Sequence, residues 1–142
     1  MTTQWLPYLV MDGNATEAID FYASALQGEV FAKMTFGEIP AGPEGPFPEE
    51  IGSLISYALV VSGKCELMLA DRYPGSPYRV GNNATVCVST DDIDHARSVF
   101  AALSEGGTVT MPLTETFFSP AYGQLIDRFG VTFRISTAQP EA

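Results

Sequence analysis

The chain has 142 residues, and its seven Lys plus Arg face seventeen Asp plus Glu, for a formal net charge of −10 and a pI near 4.2. A hydrophobic fraction of 46% with 17% charged residues is a globular composition, enough for one domain with its own core and incompatible with a wholly disordered chain. So acidic a surface repels phosphate backbones and anionic head groups, which argues against nucleic acid and membrane as partners.

Residues 4–11, QWLPYLVM, read as a strand that Pro7 confines to an edge or a bulge. Asp12-Gly13-Asn14 turns the chain. Asn14 with Glu17 three residues later fits a helix N-cap and its capping-box partner. Ala15, Ala18, Ile19, Tyr22 and Leu26 then share one helical face, and Gly28 is the expected stop. Residues 29–36, EVFAKMTF, alternate as a second strand. The stretch 37–52 holds four Pro, four Gly and four Glu, so it is expected to form neither ladder nor helix, and to be a long surface loop. SLISYALVVS (53–62) and CELMLA (65–70), joined by Gly63-Lys64, form a hairpin.

Residues 71–83 are again loop chemistry and separate a first module (1–70) from a second (84–137) within one 142-residue domain. ATVCVS (84–89) is a strand, and Thr90, Asp91 and Asp92 suit a helix start. Ile93, Ala96, Val99, Phe100 and Leu103 give the helical spacing, which Gly106-Gly107 ends. Strands are expected at 108–118, 122–127 and 131–136. The two halves register at an offset of 78, which pairs Ala18 with Ala96, Phe21 with Val99, Tyr22 with Phe100 and Gly28 with Gly106. The fold class is therefore α+β: two βαβββ modules with cupped, mostly antiparallel sheets. One helix covers only one face of such a sheet, so the other face needs a partner or a ligand.

Several segments carry a family resemblance: PYL (7–9), EAIDFYASALQGEV (17–30), CELMLADR (65–72) and, most specifically, GGTVTMPLTETFFSPAYGQLIDRFGVTFRIS (106–136). Through them the chain resembles the vicinal oxygen chelate superfamily of glyoxalases, bleomycin-resistance proteins and dioxygenases, and within it the PhnB-like branch. The resemblance implies the glyoxalase/bleomycin-resistance fold, a homodimer, and a divalent metal held by His, Glu or Gln from the first and last strand of each module. Carried over, those positions fall near Pro7, at Glu66 or Met68, at Thr85 and at Arg134. Proline has no side-chain donor atom, and a guanidinium is a permanent cation. Only Glu66 is a ligand type, so no cofactor is expected unless the register is off by a residue. The methyltransferase label sometimes given to the branch finds no Gly-rich nucleotide motif here.

The single histidine, His95, lies off the apolar face of its helix and is expected on the surface. Cys65 and Cys87 are too few for a disulfide framework or a zinc cluster and are expected to be small buried residues of a reducing compartment. No apolar run approaches the roughly 18 residues of a membrane span, and MTTQWLPYLVMDG lacks the basic flank of a signal peptide, so the cytoplasm is the expected location. Alternation in the last strand puts Thr132, Arg134 and Ser136 on one face. Arg134 then wants an anion, either a ligand's or a structural partner's among Glu66, Glu115 and Asp127. Tyr57, Met68, Thr85, Cys87, Phe118 and Tyr122 complete the expected ligand-lining set, with Asp71 and Asp127 read as caps. Three readings follow. The first is a dimer binding a small organic molecule without catalytic metal. The second is a metal-dependent lyase, isomerase or dioxygenase of the same superfamily. The third is a structural or partner-binding dimer whose cavity its own aromatics fill.

Overall fold

The computed structural model describes residues 2–40, 42, 43 and 45–138. It separates into two compact units, Met1–Tyr78 and Arg79–Ala142. Among the described residues no helix is long and apolar enough to cross a membrane.

In the first unit β1 (Tyr8–Met11), β2 (Glu29–Thr35), β3 (Ile55–Ser62) and β4 (Cys65–Asp71) form a sheet of order β1-β4-β3-β2. The β1–β4 pair is parallel and the others antiparallel. Helix α1 (Ala15–Ala25) buries Ala15, Ala18, Ile19, Tyr22 and Ala25. Below it the alternate residues Ala58, Val60, Leu67 and Leu69 are buried on one side of the sheet. Full burial of each larger apolar side chain contributes about 1.5–3 kcal/mol, so this interface holds the unit together.

Several local expectations give way. The first strand starts at Tyr8, not at residue 4; Pro7 has no N–H, but its carbonyl accepts from Met68 N at 3.0 Å. Asn14 makes no side-chain cap and no capping box forms. The cap comes from across the sheet: buried Asp71, ending β4, accepts Ala15 N at 3.0 Å with Oδ1 and Ile55 N at 2.9 Å with Oδ2. One carboxylate thus ties the helix start to the start of β3. Nor does Gly28 take the left-handed turn after the helix; Gln27 does, at φ 56°. Gly28 is needed for another reason. A Cβ there would lie 2.6 Å from Val61 O.

The 37–52 stretch is not devoid of structure. A 3-10 turn at Phe36–Glu38 leads into it and a single turn, α2 (Glu49–Gly52), closes it. Phe36 is buried, with the Phe47 and Tyr73 rings edge-on at 5.4 and 5.8 Å, and those aromatic contacts offset the poor local propensities. Ala41 and Glu44 lie outside the described residues.

The second unit repeats the plan. β5 (Val86–Thr90), α3 (Ile93–Ser104), β6 (Thr108–Thr114), β7 (Tyr122–Ile126) and β8 (Thr132–Thr137) give a sheet of order β5-β8-β7-β6. Ala96, Val99 and Leu103 of α3 are buried, as are Leu125, Phe133 and Ile135 of the sheet. Here the helix start is capped locally, with Asp92 accepting from Asp94 N and His95 N at 3.0 and 3.2 Å. The expected strand 108–118 stops at Thr114. Its Pro112 sits on the edge strand, inside the register irregularity between Met111 and Thr114. Beyond it buried Ser119 holds the chain, accepting Thr137 N at 3.1 Å and donating to Thr137 O at 2.7 Å.

Gly106 takes the left-handed conformation at φ 77°, and a Cβ on Gly107 would lie 2.3 Å from Ile126 O. The structural counterpart of Gly28 is therefore Gly107, not Gly106. Helix α3 is one residue longer than α1, so an offset of 78 at the helix starts becomes 79 at their ends.

Candidate functional site

The face of the second sheet away from α3 is defined by its register. Gly123 faces the helix, since a Cβ there would meet Phe100 at 2.8 Å. Its neighbours Tyr122 and Gln124 therefore point the other way. On β8 the buried Phe133 and Ile135 alternate with half-buried Thr132, Arg134 and Ser136. The pairs Cys87–Arg134, Ser89–Ser136, Gln124–Arg134 and Tyr122–Ser136 put these residues side by side on the open face. Through Thr108, Met111 and Thr114, β6 completes it.

Arg134 is the only charged side chain among the strand residues of this face. Its Nη1 donates to Tyr122 Oη at 2.5 Å. Among the described residues it makes no ion pair; the only two found there, Arg72–Asp12 and Arg97–Asp94, lie elsewhere. Within its own unit, the structural partnership expected with Glu115 or Asp127 is thus absent among the described residues. Glu66 accepts from Gln4 Nε2 at 2.5 Å, and Asp127 Oδ1 accepts Phe129 N and Val131 N within its own turn. Asp71 and Asp127 are both caps. Phe118 stacks edge-on against Tyr122, ring centroids 4.9 Å apart, and Phe117 turns outward, 94% exposed.

Of the expected lining residues, Cys87, Phe118, Tyr122 and Arg134 belong to this face, with Thr85 exposed one residue before β5. Tyr57 and Met68 lie on the open face of the first sheet, with Leu59, the register partner of Met68. Gln124, Ser136 and Thr132 also belong to the Arg134 face. The same two-residue alternation that exposes Tyr122 would have found Gln124. Both cysteines are exposed, contrary to expectation: Cys65 opens β4 just after the hairpin turn, and Cys87 sits on the open side of β5. His95 is half-buried in the first turn of α3 rather than exposed.

A superfamily metal finds poor donors at the carried-over positions. Pro7 and Met68 are joined through backbone, Thr85 is an exposed alcohol, Arg134 is a cation, and Glu66 is engaged by Gln4. No group of three or more His, Cys, Asp or Glu among the described residues is placed to hold an ion.

The family model for the Glyoxalase/Bleomycin resistance protein/Dioxygenase superfamily matches residues 5–135. The chain belongs to that superfamily. Protein YjdN of Escherichia coli (strain K12) is 27% identical over 144 residues, covering 95% of either chain. Protein PA1353 from Pseudomonas aeruginosa superposes with a TM-score of 0.86 at 34% identity, covering 98% of this chain and 100% of that one. The PhnB protein from Bacillus cereus matches with a TM-score of 0.74 at 26% identity, covering 96% of this chain and 100% of its own. Those likenesses put this superfamily member beside the PhnB-like proteins, the branch its sequence resembles.

Proposed function

We propose that this superfamily member binds a small organic molecule without a catalytic metal, sequestering or sensing it rather than transforming it through a bound ion. The observation that carries this reading is the chemistry at the superfamily's ligand positions. A proline, a thioether, an exposed alcohol and a guanidinium do not make an oxygen- and nitrogen-rich cage, and Glu66 already accepts from Gln4. Calorimetric titration of the purified protein with Ni²⁺, Mn²⁺, Zn²⁺ and Fe²⁺ is the test. No tight stoichiometric uptake is expected; one ion per chain, lost on Glu66→Ala, would return the protein to the metal-dependent enzymes.

The active form is proposed to be a homodimer. Tyr8, Val10 and Met34 of the first unit are 50%, 47% and 43% exposed, and an apolar strand surface of this kind is stabilised by burial against a second copy. Sedimentation equilibrium is expected to return twice the chain mass, and a monomer at micromolar concentration would remove this element.

A further inference from the structure

We infer that the ligand is a monocarboxylate with a flat apolar body, and that Arg134 with Tyr122 is the pair that recognises it. The inference rests on the metal-free binding reading and names its ligand class.

The argument starts from charge. Acidic residues outnumber basic ones seventeen to seven, yet none of those described in Arg134's own unit is placed against it. A half-buried guanidinium on a sheet face otherwise made of Cys, Ser, Thr, Tyr, Gln, Met and Ile has lost part of its water without gaining a carboxylate in exchange. An incoming anion supplies that missing charge.

The donor geometry narrows the class. Guanidinium carries five N–H donors in a plane, and Tyr122 Oη takes a bond from only one nitrogen, Nη1. The phenol oxygen accepts that bond, which leaves its own O–H free to donate. Arginine fork and phenol hydroxyl therefore lie side by side, a matched set for the two oxygens of one carboxylate. With one cation and a chain charge of −10, a singly charged planar anion is favoured over a phosphate dianion. Gln124, register partner of Arg134, adds a neutral amide donor.

The surroundings set the body of the ligand. The Phe118 ring stands edge-on to Tyr122, which leaves an aromatic wall beside the charged end. Cys87, paired with Arg134 on the other side, is small and exposed and leaves room. Aromatic acids combine the charge and the flat apolar surface that this wall accepts.

The probes are benzoate, its neutral isostere benzamide, and inorganic phosphate, each titrated into the full chain and followed by calorimetry and by backbone amide shifts. Benzoate is expected to bind once per chain, with shifts centred on β7 and β8, and at least tenfold more tightly than benzamide or phosphate. Arg134→Gln is expected to lower benzoate affinity at least tenfold, and Tyr122→Phe severalfold, with amide spectra showing both variants folded. Equal binding of benzoate and benzamide overturns the acid assignment and leaves small-molecule binding standing. Tighter binding of phosphate overturns the monocarboxylate class. Failure of benzoate to bind wild-type protein at millimolar concentration, or undiminished binding by folded Arg134→Gln, overturns the inference outright. Stoichiometric metal uptake in the separate titration instead brings down the broader reading.

Discussion

The first sheet turns Tyr8, Val10, Tyr57, Leu59 and Met68 to its open face; the second turns Cys87, Tyr122, Gln124, Arg134 and Ser136 to the same side of the same topology. The first face also carries Glu66 and Glu29, both paired with Val61, so it is apolar with carboxylates along it, whereas the second is polar with a cation. The helix-covered faces do not differ in this way, since both are small and apolar: Ala18, Ala58 and Leu69 in one unit, Ala96, Leu125 and Phe133 in the other. Folding constrains the covered face, because it must pack against a helix at close density. The open face answers to whatever it meets, so that is where two copies of one plan diverge.

The units also differ in how they secure the helix start. The first uses a carboxylate 56 residues away, the second a cap one residue before the helix. Asp71→Ala strands two buried backbone N–H groups and is expected to cost about 2–5 kcal/mol. Asp92→Ala removes an exposed local cap and is expected to cost about 1 kcal/mol. Urea unfolding separates them, and equal losses would erase the distinction between remote and local capping. Hydrogen exchange should rise at Ala15 and Ile55 together in the Asp71 variant.

Smaller effects test the equivalence at the helix ends. Gly107→Ala and Gly28→Ala each drive a methyl into a backbone carbonyl, and each is expected to cost about 1–3 kcal/mol by the same unfolding measurement, with Gly107 the larger. Gly81→Ala, whose added methyl would meet only Asn83 Oδ1 at an ordinary 3.7 Å, is the control, expected within about 0.5 kcal/mol of wild type. A neutral Gly107→Ala would restore Gly106 as the counterpart of Gly28.

The smallest change is expected at Thr137, which occupies in β8 the place of Asp71 in β4: Met11 pairs with Asp71 as Thr90 pairs with Thr137. Its Oγ1 is buried without a hydrogen-bond partner among the described residues. Thr137→Val keeps the shape and drops the hydroxyl, so thermal unfolding should show stability unchanged or raised by up to about 1 kcal/mol. A loss above that would mean the hydroxyl is satisfied.

Much of this fold was legible in the chain itself. Both βαβββ orders, the helix faces and the 132-134-136 face follow from periods of 3.6 and 2, which a sequence displays directly. The resemblance placed the superfamily, and the poor donors at its ligand positions could be read letter by letter. Other features were out of reach. Cysteines are buried on average, but Cys87 is exposed by the side of its strand and Cys65, in phase with buried Leu67 and Leu69, by its place at the strand end beside the hairpin turn. The Asn14 cap was plausible locally, but Asp71 reaches the same N–H from another strand.

What the linear order determined alone is element identity and which residues share a side, because backbone geometry repeats over two to four residues. Tertiary structure decided the rest: that Asp71 caps α1, that Gly28 and Gly107 exist for the carbonyls of Val61 and Ile126, and that Arg134 meets a phenol instead of a carboxylate. Each depends on strand register between distant segments, a pairing that no local period encodes.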